Sequence, residues 1–232
     1  MKKGFFITGT DTEVGKTYVA VELMRLLSQR NKRVIGFKPV AAGAAEIDGV
    51  LMNSDACQLL AHSTPKPPYA LLNPYCFKPA IAPHIAADAT GETIEIEKIQ
   101  SNYEQLEAMA DVMVVEGAGG WATPINNKAG LDDVAKQLNL PIILVVGLKL
   151  GCINHALLTE AAIIQKGCTV IAWIGNEVLP AFKEKEANVL ALKSRLQSPC
   201  LGVVSFQPGK QKSEPSEQIN TQLLLDYLVD FS

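Results

Sequence analysis

Apolar residues in this chain come in short continuous runs rather than in alternation. The clearest are 4–9 "GFFITG", 33–38 "RVIGFK", 111–117 "DVMVVEG", 141–147 "PIILVVG" and 168–176 "CTVIAWIGN", and 200–206 "CLGVVSF" extends the set. A strand with one wet face alternates apolar and polar positions, so unbroken runs predict strands covered on both faces. Between the runs the spacing becomes helical. Val19, Leu23, Leu26 and Leu27 mark a helix over about 16–30, and the stretches 156–166 and 187–196 mark others. Strands alternating with helices predict an α/β fold, a parallel sheet flanked by helices on both faces. The stretch 63–83 carries prolines at 65, 67, 68, 74, 79 and 83 and reads as an ordered surface connection. The chain shows no internal repeat, low-complexity tract or dividing linker, so residues 1–232 are expected to form a single domain.

In such a sheet ligands bind beyond the carboxyl ends of the strands, so chemistry should gather just after each run. The first run opens onto "GTDTEVGKT", Gly9 to Thr17. A phosphate-binding loop has a glycine, four residues, then Gly-Lys-Ser/Thr. Counting back from Gly15-Lys16-Thr17 puts Thr10 where that glycine belongs, with Gly9 one place early. Strand, glycine turn and helix start would still aim backbone N–H groups and a helix dipole at one anion. Lys16 would then reach the outer phosphates of a nucleoside triphosphate, and the Thr17 hydroxyl a Mg²⁺ ion. The plainer alternative is a glycine turn that merely opens a helix. Asp11 and Glu13, inside the loop, must point outward if an anion is bound.

The other strand ends add to this. Lys38 closes the second run and is fixed by Pro39; a second ammonium there would neutralise a substrate anion or a phosphoryl group in transfer, unless it is simply solvated. Glu116 closes the third, where P-loop proteins keep an acid for Mg²⁺, and glycines at 117, 119 and 120 allow close backbone approach to a ligand. The fourth run leads into "GLKLGCINH", a helix start suited to a carboxylate, and the fifth ends in Asn176. Asp55, in "NSDA", reads by itself only as a helix-start residue. His62, His84 and His155 have no metal-ligand spacing.

Composition narrows the partners. With 19% charged residues and a formal net charge of -3, there is no electrostatic reason to expect nucleic acid or an anionic membrane. The 5 cysteines are odd in number and form no CxxC, which argues for reduced thiols in a cytoplasmic protein and against a disulfide framework or zinc site. The first apolar run is too short for a signal peptide, and "PIILVVGL" falls well short of a membrane span.

In order along the chain, "GTDTEVGKT", "GFKPVA", "NSDA", "NPY", "VEGAGGW", "PIILVVGLKLGCINHALLT" and "GNEV" resemble the dethiobiotin synthetases, from about residue 4 to 180. The resemblance implies a P-loop enzyme of biotin synthesis that uses ATP, Mg²⁺ and CO₂ (or bicarbonate) to close the cyclic urea of dethiobiotin on 7,8-diaminopelargonate. By position, Lys16 and Lys38 would hold carbamate and phosphoryl oxygens, and Thr12 would place the substrate. Thr17, Asp55 and Glu116 would surround Mg²⁺, an oxygen-only set suited to that ion. Glu13, Val14, Gly15, Lys16, Thr17 and Tyr18 would line the nucleotide phosphates, and Asn176 would read the adenine. Asp55, Glu116, Gly117, Ala118, Gly119, Glu177 and Ser205 are placed with the nucleotide as well. Family members are homodimers with the site near the interface, where the neighbour's Gly151, Cys152 and Asn154 would receive the substrate carboxylate.

Two positions depart from the family's pattern: Ala42 replaces a serine that contacts substrate, and Ser205 replaces a proline beside the adenine. A different reading is a regulatory or partitioning P-loop ATPase. Such proteins carry an early lysine in the loop, where this chain has Thr10-Asp11, and the terminal "SEQINTQLLLDYLVDF" is amphipathic but acidic, the wrong sign for an anionic membrane. A third reading, a nucleotide-binding module without catalysis, would rest on Ala42 and Ser205.

Overall fold

The structure is a computed structural model that describes residues 4–180, 182–206, 219–220, 222, 224 and 227. It opens with β1 (Gly4–Gly9), α1 (Lys16–Ser28) and β2 (Val34–Phe37). An excursion follows through β3 (Val40–Ala42), β4 (Ala45–Ile47), β5 (Val50–Met52), α2 (Ser54–His62), α3 (Tyr69–Leu72), β6 (Tyr75–Phe77), α4 (Pro83–Thr90) and α5 (Ile96–Glu107). Strand and helix then alternate: β7 (Val112–Glu116), α6 (Leu131–Leu138), β8 (Ile142–Leu148), α7 (Cys152–Gln165), β9 (Val170–Glu177), α8 (Lys185–Arg195) and β10 (Cys200–Val204).

The central sheet has 6 strands in the order β10-β9-β8-β1-β7-β2, parallel throughout. Its continuous apolar runs have the predicted cause. Along β1, Phe5 and Ile7 pack with Val19, Leu23 and Leu27 of α1, while Phe6 packs on the opposite face with Ile99 and Tyr103 of α5 and Val134 of α6. Leu144 and Val146 of β8 bury against Ala156 of α7 and Leu192 of α8. Each such fully buried side chain contributes roughly 1.5–3 kcal/mol. With β1 between β7 and β8, the strand order reverses at the sheet's centre, and the crevice there lies at the end of β1.

Several elements differ from the pattern-based expectation. The proline-rich 63–83 stretch is more than a surface connection: it contains α3 and β6, with Leu72, Tyr75 and Phe77 buried and β6 paired to β3. Strands of 3 residues between prolines are too short to show periodicity. The hairpin β4–β5 turns at Asp48-Gly49, both at positive φ (51° and 79°), the two-residue turn that the Asp-Gly pair favours. Helices α4, α5 and α6 also went unmarked, and α7 starts at Cys152 rather than 156. The acidic amphipathic stretch 216–231 lies mostly outside the described residues. Among the described residues no helix is long and apolar enough to cross a membrane. The cysteines are free thiols.

Candidate active site

At the carboxyl end of β1 the loop folds back over its own strand. A Cβ on Gly9 would meet Val14 Cγ2 at 2.6 Å, so the early glycine exists to let Val14 pack down onto the strand end. Gly15 sits at φ 88°, and a Cβ there would collide with Asn176 Nδ2. Asn176, buried at the end of β9, donates Nδ2 to Val14 O at 2.9 Å and so braces the loop from behind. Glu13 is exposed and holds a left-handed φ of 58°, a strained conformation typical of functional loops. Asp11 does turn outward: its carboxylate accepts from Lys149 Nζ at 3.0 Å and from Thr12 N–H at 2.8 Å. Lys149, then Thr12, hold the Asp11 carboxyl below its usual range.

The loop faces a cavity of about 1030 Å³. Thr12, Glu13, Gly15, Lys16, Thr17 and Tyr18 line one side; Lys38, Ala42, Asp55, Glu116, Ala118 and Gly119 line the other. Lys16 is buried and donates Nζ to Asp11 O at 2.9 Å. Burial, followed by the like charge of Lys38, pushes its ammonium down to about 8. At the centre stands Glu116, 1% exposed. Its Oε1 accepts from Thr17 Oγ1 at 2.7 Å and from Lys38 Nζ at 2.7 Å, and Lys38 also donates to Gly117 O at 3.0 Å. Asp55 Oδ2 lies 3.5 Å from the same ammonium. Glu116 Oε2 is buried with no hydrogen-bond partner. A buried, unsatisfied carboxylate oxygen beside a threonine hydroxyl and a second acid is the donor chemistry that a hard divalent cation takes, so these residues fit Mg²⁺.

The remaining sequence candidates sit elsewhere. Val14 lies beneath the loop and Gly117 contributes its carbonyl to Lys38. Glu177 is engaged at the far strand ends, with Lys185 Nζ at 2.6 Å and Phe206 N–H at 2.8 Å, next to Ser205. Gly151, Cys152 and Asn154 are outside this cavity. Gly151 is at φ 90° at the start of α7 and Cys152 is buried, its N–H already donated to Lys149 O at 3.0 Å. Sequence reasoning missed Asn53, which lines the cavity and caps α2, and the wall Ala80–Pro83. The former had a signal, an asparagine just before "SDA"; the latter had none. A second cavity of about 390 Å³ is lined by Asp88, Glu92, Glu95 and Glu97 against Lys128, the wrong sign for phosphate.

A parallel sheet whose central strand feeds a Gly-Lys-Thr loop, with an acid at the end of the adjacent strand, has the architecture of a P-loop nucleoside triphosphatase. Solved structures share the fold: a ParA family ATPase from Chlorobium tepidum TLS (TM-score 0.58, 15% identity, 100% of this chain and 98% of that one), and the septum site-determining protein MinD from Pyrococcus horikoshii OT3 complexed with Mg-ADP (TM-score 0.55, 14% identity, 90% and 83%). A family model described as an AAA domain matches residues 3–213. Full-length similarity is more specific. The ATP-dependent dethiobiotin synthetase BioD of Aromatoleum aromaticum is 45% identical over 91% of this chain and 94% of its own. That of Pseudoalteromonas translucida is 45% identical over 98% and 99%, and that of Xylella fastidiosa 46% over 88% and 90%. The chain belongs to the ATP-dependent dethiobiotin synthetase family.

Proposed function

We propose that this chain is a cyclo-ligase of biotin synthesis, converting 7,8-diaminopelargonate, CO₂ and ATP to dethiobiotin, ADP and phosphate. One amine adds to CO₂ and loses a proton, giving a carbamate. A carbamate oxygen attacks the γ-phosphorus, ADP leaves, and a carbamic-phosphoric anhydride forms. The second amine attacks the carbonyl carbon, phosphate departs, and the ring closes. Every stage places negative charge between Lys16 and Lys38, and pre-positioned cations stabilise such charge far better than water does. The observation that carries the reading is the Lys38 ammonium, 2.7 Å from the buried Glu116 within the cavity the loop faces, in a chain of this family.

In this reading Glu13 to Tyr18 cradle the phosphates, with Glu116 to Gly119 beside them and Asn176, Glu177 and Ser205 toward the adenine. Thr12 and Ala42 contact the diamine. Thr17, Asp55 and Glu116 hold Mg²⁺, which when bound screens the phosphate charge. Residues 1–232 work as one domain, in a cytoplasmic homodimer in which Gly151, Cys152 and Asn154 of the second copy take the substrate carboxylate. Leu150 just before α7 and Leu158 within it, 91% and 63% exposed, suit burial against such a copy. The test is mass-spectrometric detection of dethiobiotin from diamine, bicarbonate, ATP and Mg²⁺. A product at the mass of the cyclic urea is expected; no product from folded enzyme overturns the reading.

A further inference from the structure

Asn53 lines the cavity wall, with Tyr69 and Asn73 behind it, and none of the three has a part in the chemistry above. Asn53 and Asn73 are 5% and 3% exposed. The Tyr69 hydroxyl joins them, accepting from Asn53 N–H at 2.8 Å and donating to Asn73 Oδ1 at 3.0 Å. Each amide then reaches one charged residue of the site. Asn73 donates Nδ2 to Lys38 O at 2.7 Å and to Tyr75 O at 3.1 Å. Asn53 Oδ1 accepts from Asp55 N–H at 3.0 Å and Ala56 N–H at 3.3 Å, and its Nδ2 donates to Ala42 O at 3.1 Å.

Lys38 stands just past the end of β2, where the ladder to β7 stops at Phe37. The segment around α3 takes the sheet's place: Lys38 N–H donates to Leu72 O at 2.9 Å while its carbonyl accepts from Asn73. Asp55 enters from the first turn of α2, so its distance from Lys38 depends on how that helix start is held. Buried polar chains of this kind specify one geometry when every member is satisfied.

We propose that Tyr69, with Asn53 and Asn73, forms a positioning relay that sets Lys38 against Asp55 and thereby aligns the phosphoryl-transfer step. The relay acts through those residues, and what it aligns rests on the function proposed above. Tyr69→Phe keeps the ring and deletes the junction. Because a small misplacement of an aligned group is costly, kcat should fall about tenfold or more, with any rise in KM for ATP much smaller than that fall, since the phosphate loop is not tied to the relay. Asn73→Ala should act likewise, and the double variant should be no worse than the poorer single, because both break one chain. Should Asn73→Ala not fold, Asn53→Ala, which removes the side-chain acceptor for Asp55 N–H and so breaks the same chain, replaces it in the cycle. Unchanged kcat in folded Tyr69→Phe overturns the relay, as do additive effects or a loss of kcat that tracks a rise in ATP KM and a fall in Tm. Wild-type enzyme without product contradicts the function instead. A crystal structure of Tyr69→Phe then decides: Lys38 and Asp55 displaced supports the relay, and the pair still 3.5 Å apart overturns it.

Discussion

The two walls of the cavity are built by opposite means. The wall from Gly9 to Thr17 is backbone: a glycine at each end, a loop packed onto its own strand, and a helix start aimed inward. The wall of Lys38, Asp55 and Glu116 is side chain, with charges from separate elements brought within 3.5 Å. A backbone nest is written in consecutive residues and binds phosphate in many proteins. A charge cluster is assembled by the tertiary fold, and it turns phosphate binding into a particular reaction. Loss of Lys38 from the second wall should therefore remove turnover and largely spare nucleotide binding, whereas distortion of the first wall's backbone should weaken nucleotide binding.

The largest expected effect is on the side-chain wall. Lys38→Ala should lower kcat about 10³-fold, the scale for removing one transition-state donor, with ATP affinity by calorimetry little changed. Normal turnover would remove Lys38 from the mechanism. Glu116→Gln should follow, because it takes the carboxylate from a buried ammonium. Breaking a buried pair costs roughly 3–5 kcal/mol, measurable by urea unfolding, and Lys38→Met in the same chain should restore part of it. A double variant as unstable as the sum of the singles would show that the two charges are not coupled.

On the backbone wall, Gly15→Ala forces a Cβ into a left-handed residue and against Asn176. The strain is about 1–3 kcal/mol and should appear as weaker ATP binding, with kcat at saturating ATP kept. A fall in kcat alone would count against the division between walls. Lys16 gives a pH signature. With its free-enzyme value at about 8, kcat/KM for ATP should fall about tenfold per unit above that pH, as the ammonium proposed to bind phosphate is lost. The unfolded chain holds this lysine near 10.5, so between about 8 and 10.5 the unfolded state binds more protons and this group's contribution to stability rises with pH. Smallest of all is Asp11→Asn. Its pair with Lys149 is 46% and 36% exposed, worth at most about 1 kcal/mol and fading with salt, so near-normal kinetics are expected.

The same division explains what could be read from sequence. The sheet was legible because strands covered on both faces leave unbroken apolar runs, and the loop because "GTDTEVGKT" is local. Lys38 and Glu116 were found only as residues at strand ends, where ligands gather. Asp55 had no pattern of its own and needed the family resemblance. Tyr69 was invisible and Asn73 entered only within the "NPY" of the family resemblance, since their meaning lies in partners from other elements, and β6 was hidden among prolines. Asp48-Gly49 did carry a hairpin signal that the apolar runs overshadowed.

The measurement that tests the central claim most directly is phosphate release from ATP, followed with and without the diamine in the presence of bicarbonate and Mg²⁺. A ligase built around the Lys38 wall requires the diamine, so release should be near background until it is added and should match dethiobiotin formed mole for mole. Equal release in its absence would contradict the account and make this a P-loop switch with a different purpose.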